Sequence, residues 1–306
     1  MEYDFYTTDV FTDQRFGGNP LAVFPKAAGL DTQTMQSIAR EFNLSETIFF
    51  FPPDHPQNTV KARIFTPYFE MPFAGHPTVG GAFVLATLGL VDVEFPLAHV
   101  VLEEQIGLVP VAVHTDEDGK IDKTVLSAAV IPQVSTVAPA VEQIARLLSL
   151  PPNAIQENNF APVIIEAGSK RLFVPLNNRQ GLADIKIDLG VWWNEIKLQF
   201  SDVRSVYAYC FDPERPGSNL RGRMFAIPQM GMYEDPATGS AVTGLAAYLA
   251  QKSDKFNGML SWVMEQGFEM GRPSILEIEA DLQDGVCQAI RVGGSSIMVS
   301  KGVIYL

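Results

Sequence analysis

Glu46, His76 and Asp235 are the side chains of this sequence whose types and places could do chemistry. His76 follows Gly75 in a Pro- and Gly-rich loop that runs into a helix beginning near Pro77. Asp235 precedes Pro236 in a second such loop, before a helix beginning near Thr238. Glu46 lies between Ser45 and Thr47, where a helix hands over to the apolar run Ile48 to Phe51. Two carboxylates and an imidazole are groups suited to moving a proton between two atoms of one substrate. Half-burial of Glu46 would raise its pKa; a solvated loop glutamate is the plainer alternative. A Gly-rich loop at a helix start also leaves backbone N–H groups pointing outward, where the positive end of the helix dipole favours an anion. Pro77-Thr78 and Gly239-Ser240 stand at the two starts, which, facing each other, would make a polar cleft. For either loop by itself, an ordinary N-terminal cap with proline in the first turn accounts for the same residues.

The elements that must position these groups repeat. Shifted by 160 positions, the stretch around Phe65 to Leu88 lies along Arg221 to Leu249 without a gap: Arg63 falls on Arg223, Phe65 on Phe225, Thr78 on Thr238 and Leu85 on Leu245. Each copy is a short apolar strand, a loop, and a small-residue helix that is apolar nearly all round. Such a helix is buried. The pattern predicts two pseudo-symmetric domains, each built around a central buried helix.

Flanking elements follow from shorter signals. Tyr3 to Phe11 and Leu21 to Phe24 read as a hairpin around the turn DQRFGGN, in which Asn19 is a turn cap or a ligand contact. Asp31 caps a helix from Thr32 to Phe42. Strands are expected at Val60 to Thr66, on both sides of Gly107 within Val101 to His114, and at Val125 to Ile131. Val141 to Leu148 is a helix ended by Pro151-Pro152. Ile187 to Phe200 is expected to be helical, and Ser296 to Tyr305 is the last strand. Many strands and few helices make an α+β fold. No dinucleotide fingerprint or P-loop is present. The strands of the first half run out near 118. The expected domains are therefore 1–118 and 119–306, with the last strand a candidate to join the first.

The 306 residues are 47% hydrophobic and carry a formal net charge of −13. That balance argues against nucleic acid and against anionic membrane surfaces; a local site can still be positive. Cys210 and Cys287 are far apart, in no metal-like spacing, and two cysteines in this length fit a reducing cytosol. No signal peptide or membrane span is visible, so a cytoplasmic protein is expected.

With these residues in view, the chain resembles the phenazine-biosynthesis PhzF-like isomerases, which share their fold with diaminopimelate epimerases. The resemblance covers most of the chain and rests on DVFTDQRFGGNPLAVF, MQSIAREFNLSETIFF, RIFTPYFEMPFAGHPTVG, EDPATGSA and EQGFEMGRPS, in that order. It implies that each domain is a curled, mostly antiparallel sheet around its helix. It also implies an active site between the domains, a homodimer, no cofactor and no metal. Carried over residue by residue, it makes Glu46 the acid/base carboxylate, His76 the active-site histidine and Asp235 the second carboxylate. Gly239 and Ser240 then hold a substrate carboxylate, Ser45 and Gly75 line the same cleft, and Asn19 is a substrate contact. The two-cysteine epimerases of this fold would need thiols near Gly75 and Asp235, and Cys210 and Cys287 lie in neither loop.

The expectation is a cofactor-independent isomerase that moves a proton within a small carboxylate-bearing metabolite, with Pro77 and Thr78 at the first helix start aiding the anion. Two alternatives remain: a non-catalytic binding scaffold on the same fold, and an epimerase or racemase that works without thiols.

Overall fold

The computed structural model describes residues 1–135, 137–226 and 233–306. Its contacts divide the chain into two compact units. The first holds Met1–Ala129, Gly271–Ile275 and Arg291–Leu306; the second holds Val130–Met270 and Leu276–Ile290.

In the first unit, β1 (Glu2–Val10) and β2 (Asn19–Phe24) form the antiparallel hairpin that the DQRFGGN turn predicts. The capped helix α1 spans Thr32–Phe42, with the Asp31 side chain accepting from the Thr34 N–H. After it come β3 (Glu46–Phe51), β4 (Val60–Phe65), the short β5 (Glu70–Met71) and helix α2 (Gly75–Thr87). The unit continues with β6 (Leu97–Glu104), β7 (Gly107–Thr115) and β8 (Ile121–Ser127). β2 runs parallel to β3, β3 antiparallel to β4, β4 parallel to β6, and β6, β7 and β8 follow as an antiparallel meander.

The second unit repeats that order of pairings. Its first elements are β9 (Gln133–Ser135), α3 (Val141–Leu148), β10 (Val163–Ala167), β11 (Ser169–Pro175) and α4 (Arg179–Asp184). A helical stretch at 189–199 has a π turn at Trp192–Ile196, and β12 (Val203–Cys210) and β13 (Leu220–Ala226) follow. Then come helix α5 (Gly239–Gln251) and β14 (Gly258–Gln266). β10–β11 is antiparallel, β11–β12 parallel, β12–β13 antiparallel and β13–β14 parallel. β15 (Ser274–Gln283) and β16 (Val286–Gly294) lead to β17 (Ser296–Tyr305), which pairs antiparallel with β1, so the chain's end belongs to the first unit.

The fold is α+β, with a buried helix in each unit. In α2 every residue from Gly75 to Leu85 is buried, and in α5 every residue from Ala241 to Ala250. α2 touches β1, β2, β3, β7 and β8, which curl around it. Two glycines allow that closeness. A Cβ on Gly80 would lie 2.4 Å from Val10 Cγ2, and one on Gly81 would lie 2.6 Å from Phe50 Cζ. Glycine costs a helix interior about 1 kcal/mol relative to alanine; here it lets the helix backbone approach the sheet.

The repeat carries a gap that the ungapped alignment hides. Arg63 and Arg223 correspond at an offset of 160: each makes a two-pronged contact with a glutamate and lies over the ring of Phe65 or Phe225. The glutamates are Glu70, seven residues on, and Glu234, eleven residues on. Both helices are 13 residues long, and their starts, Gly75 and Gly239, correspond at an offset of 164, so four extra residues precede the second helix. Structurally, Asp235 therefore matches Met71, not Gly75. Met71 pairs with Ile64 on β4, and Asp235 bridges Met224 on β13. Residues 227–232, and with them the end of the strand expected from Met224 to Ile227, lie outside the described residues.

Candidate functional site

Glu46 opens β3, not a loop, because its backbone pairs with Leu21 of β2. Strand alternation aims its side chain away from that of Thr47, which is buried with no partner for its hydroxyl among the described residues. Glu46 Oε2 lies 3.4 Å from Nδ1 of His76, in the first turn of α2. The two side chains are 17% and 6% exposed. Burial pushes the His76 pKa down to about 3, so the ring is neutral near pH 7. Across this contact one proton fits: on Nδ1 facing a carboxylate, or on Glu46 facing a bare Nδ1. Nε2 of His76 is buried without a hydrogen-bond partner among the described residues.

Asn19 is fully buried, and the Ser45 hydroxyl donates to its Oδ1 at 3.3 Å. This ties the hairpin turn to the residue before Glu46. Ala74 precedes α2 without a side-chain cap, and Gly75, His76, Pro77 and Thr78 are all buried. Four of the first-unit residues singled out in the sequence thus form two contacting pairs, Glu46 with His76 and Asn19 with Ser45.

In the second unit, Asp235 accepts a short hydrogen bond from the Thr238 hydroxyl, while its backbone N–H donates to the Met224 carbonyl. Gln266, fully buried at the end of β14, ties this turn together. Its amide donates to the Asp235 carbonyl at 2.8 Å and to Thr238 Oγ1 at 3.0 Å, and its Oε1 accepts from the Thr238 N–H and from the Tyr207 hydroxyl. Thr238 offers α5 no side-chain cap.

Arg171, on β11, donates through Nη2 to the Ser240 hydroxyl at 3.0 Å and through Nη1 to the carbonyls of Ala167 and Ser169. Burial lowers its pKa to about 10, against the opposing pull of Asp235. The same carboxylate adds to the burial that pushes Tyr207 well above its usual value. Sequence inspection missed Arg171, Tyr207 and Gln266, which lie in ordinary strand patterns. An arginine with a hydroxyl and a helix start around it can meet an anion in a chain of net charge −13.

Neither cysteine offers a ready thiolate. Cys210 is buried, and burial pushes its thiol up to about 11; the same cause raises Cys287.

Comparison with known proteins shows the family and the fold. The profile of the phenazine biosynthesis-like protein family matches residues 8–302. An uncharacterised isomerase of Mesorhizobium japonicum is 39% identical over 97% of both chains. The trans-2,3-dihydro-3-hydroxyanthranilate isomerase of Pseudomonas aeruginosa is 32% identical over 97% of this chain and 98% of its own. In fold, the chain is similar to a crystal structure of a Bacillus anthracis phenazine biosynthesis protein of the PhzF family. The TM-score is 0.89 at 24% identity, and both chains are fully covered. It is also similar to a hydroxyproline epimerase of Agrobacterium vitis, with a TM-score of 0.65 at 14% identity over 99% of this chain and 92% of that one. The chain belongs to the phenazine biosynthesis-like protein family and is, with its named relatives, an isomerase.

Proposed function

We propose that the protein moves a proton within a small carboxylate-bearing metabolite by acid/base chemistry that needs no cofactor. The observation that carries this is the contact of Glu46 with His76 at a buried helix start. Glu46 takes a proton from a carbon beside an unsaturated system and redelivers it to another carbon of the same molecule. His76 and Asp235 hold or relay protons on the substrate's heteroatoms. The starts of α2 and α5, with Ser240 and Arg171 at the second, anchor the carboxylate. Asn19 and Ser45 support the Glu46 side. The same proposal makes the protein a cytoplasmic homodimer with no nucleic-acid or membrane partner. The resemblance, the net charge and the cysteine usage support these points.

The relatives from Pseudomonas make trans-2,3-dihydro-3-hydroxyanthranilate the first compound to try. The experiment is incubation in deuterium oxide with that compound and a panel of small aromatic and aliphatic carboxylates, read by NMR. Deuterium arriving at a new carbon, with a shifted double bond, is the expected result. Inversion at a single centre would instead mark a thiol-independent epimerase. Tight binding with no exchange in any compound would mark a binding scaffold.

A further inference from the structure

We propose that Glu104 works as a neutral carboxylic acid that clamps the first turn of α2, so that its ionisation acts as a pH-sensitive switch on the placement of His76. The inference goes beyond the proposed function and does not depend on it. Glu104 ends β6, and its side chain is buried. Its Oε1 lies 2.6 Å from the Thr78 hydroxyl. That hydroxyl is also 2.8 Å from the carbonyl of Ala74, the residue just before α2. A threonine hydroxyl has one proton to donate. If it goes to the Ala74 carbonyl, the contact with Glu104 needs a proton from the carboxyl group. The other carboxyl oxygen, Oε2, is buried and has no hydrogen-bond partner among the described residues. A carbonyl oxygen of an acid tolerates that far better than half of a carboxylate does.

The second unit supplies an internal control. β4 pairs with β6 as β13 pairs with β14: Val60 opposite Leu102 and Lys61 opposite Glu103 match Leu220 opposite Met264 and Arg221 opposite Glu265. Glu103 and Glu265 play one role, each accepting two successive backbone N–H groups of a facing loop, at Asp54-His55 and at Glu214-Arg215. The next residue is Glu104 in the first unit and Gln266 in the second. Both meet a threonine of the helix start, though not the equivalent one: Thr78 lies in the first turn of α2, and Thr238 is the residue just before α5. Glutamine has the shape of a protonated glutamate and never ionises. At the same strand position, the first unit thus fastens its helix start with an ionisable group and the second with an amide.

Among the described residues, no cation faces Glu104 to hold it ionised. On β7 the residue opposite is Gly107. On β4, Lys61 is tied to Asp54 and Arg63 to Glu70. On its own strand, Glu103 points to the other face. From α2 the titratable group is His76, which is neutral. Burial raises the Glu104 pKa to about 7, against the lowering pull of Thr78. Once Glu104 ionises, it competes with the Ala74 carbonyl for the Thr78 proton. The turn that carries Gly75 and His76 then loses a fastening.

The test is NMR of the full chain with carbon-13 in its glutamate carboxyls and nitrogen-15 in its histidines, titrated from pH 5 to pH 9. We expect one glutamate carboxyl with a midpoint near 7, absent from Glu104→Gln. We also expect His76 ring signals that move at that same midpoint in the wild type and stay still in Glu104→Gln. His76 itself titrates far lower, so a transition there reports a nearby carboxyl, and its loss in Glu104→Gln assigns it to Glu104 and not to Glu46. A wild type in which every glutamate titrates below pH 5.5 would overturn the neutral acid, and this arm needs no variant to fold. A His76 transition that persists unchanged in Glu104→Gln, or in Thr78→Val, would overturn the clamp.

Discussion

Glu46 Oε2 and His76 Nδ1 lie 3.4 Å apart, although thirty residues and two strands separate them in the chain. β3 sets Glu46 at its first position by pairing with β2, and α2 brings His76 to it in its own first turn. Glu46→Gln keeps the shape of this contact and removes the exchangeable acid proton. A positioned acid or base contributes about 10²- to 10⁴-fold to proton transfer. We expect turnover and deuterium exchange to fall at least 100-fold, on the order of that lower bound, with ligand affinity nearly unchanged. A variant that retains most of its rate would remove Glu46 as the proton carrier.

His76 makes stability depend on pH in acid. Its pKa falls from 6.5 in the ordinary range to about 3 in the fold. Between those values the unfolded chain binds a proton that the folded chain refuses. Its contribution is therefore fully present above pH 6.5 and is lost as pH falls towards 3. The loss is on the order of a few kcal/mol. In denaturant titrations at pH 7 and pH 4.5, His76→Gln should lose less stability than the wild type does. Equal losses would mean that the ring is not held neutral.

Arg171 and Ser240 should govern affinity for the carboxylate. Arg171→Met removes a charged donor and should weaken carboxylate binding about 10- to 100-fold. Ser240→Asp places a like charge on the same site and should abolish binding with little effect on folding. The field there is local, since salt screens charges beyond about 8–10 Å. Calorimetric titration measures both. Wild-type affinity in Ser240→Asp would put the carboxylate elsewhere.

Gly80→Ala should destabilise the protein, although alanine is the better helix former. The new methyl group would meet Val10 and Leu21 in the sheet floor. Overpacking of that kind costs about 1–3 kcal/mol. At Gly89, just beyond α2, a Cβ meets nothing within 4 Å but φ is +65°, so Gly89→Ala reports backbone strain alone. Chemical denaturation of the two variants separates close packing from strain. A Gly80→Ala variant as stable as the wild type would show that α2 does not need its close approach to the sheet.

Much was legible along the chain because it rests on short-range physics. The Asp31 cap set the start of α1, the Pro151-Pro152 pair followed the end of α3, and the strand expected at Ser296 to Tyr305 has the bounds of β17. The all-apolar helices marked themselves as buried, and the ordered motifs marked the family. Longer-range relationships depend on sheet register, which no local pattern encodes. The pairing of β2 with β3 decided that Glu46 lies in a strand within reach of His76. The sheet also brought Arg171 to a serine sixty-nine residues away and Gln266 to Thr238. The gap of four residues before α5 was hidden for a related reason. Small apolar helices resemble one another at many offsets, so Thr78 on Thr238 looked like a match. The ion pairs of Arg63 with Glu70 and of Arg223 with Glu234, seven and eleven residues apart, show that the extra residues lie before Glu234.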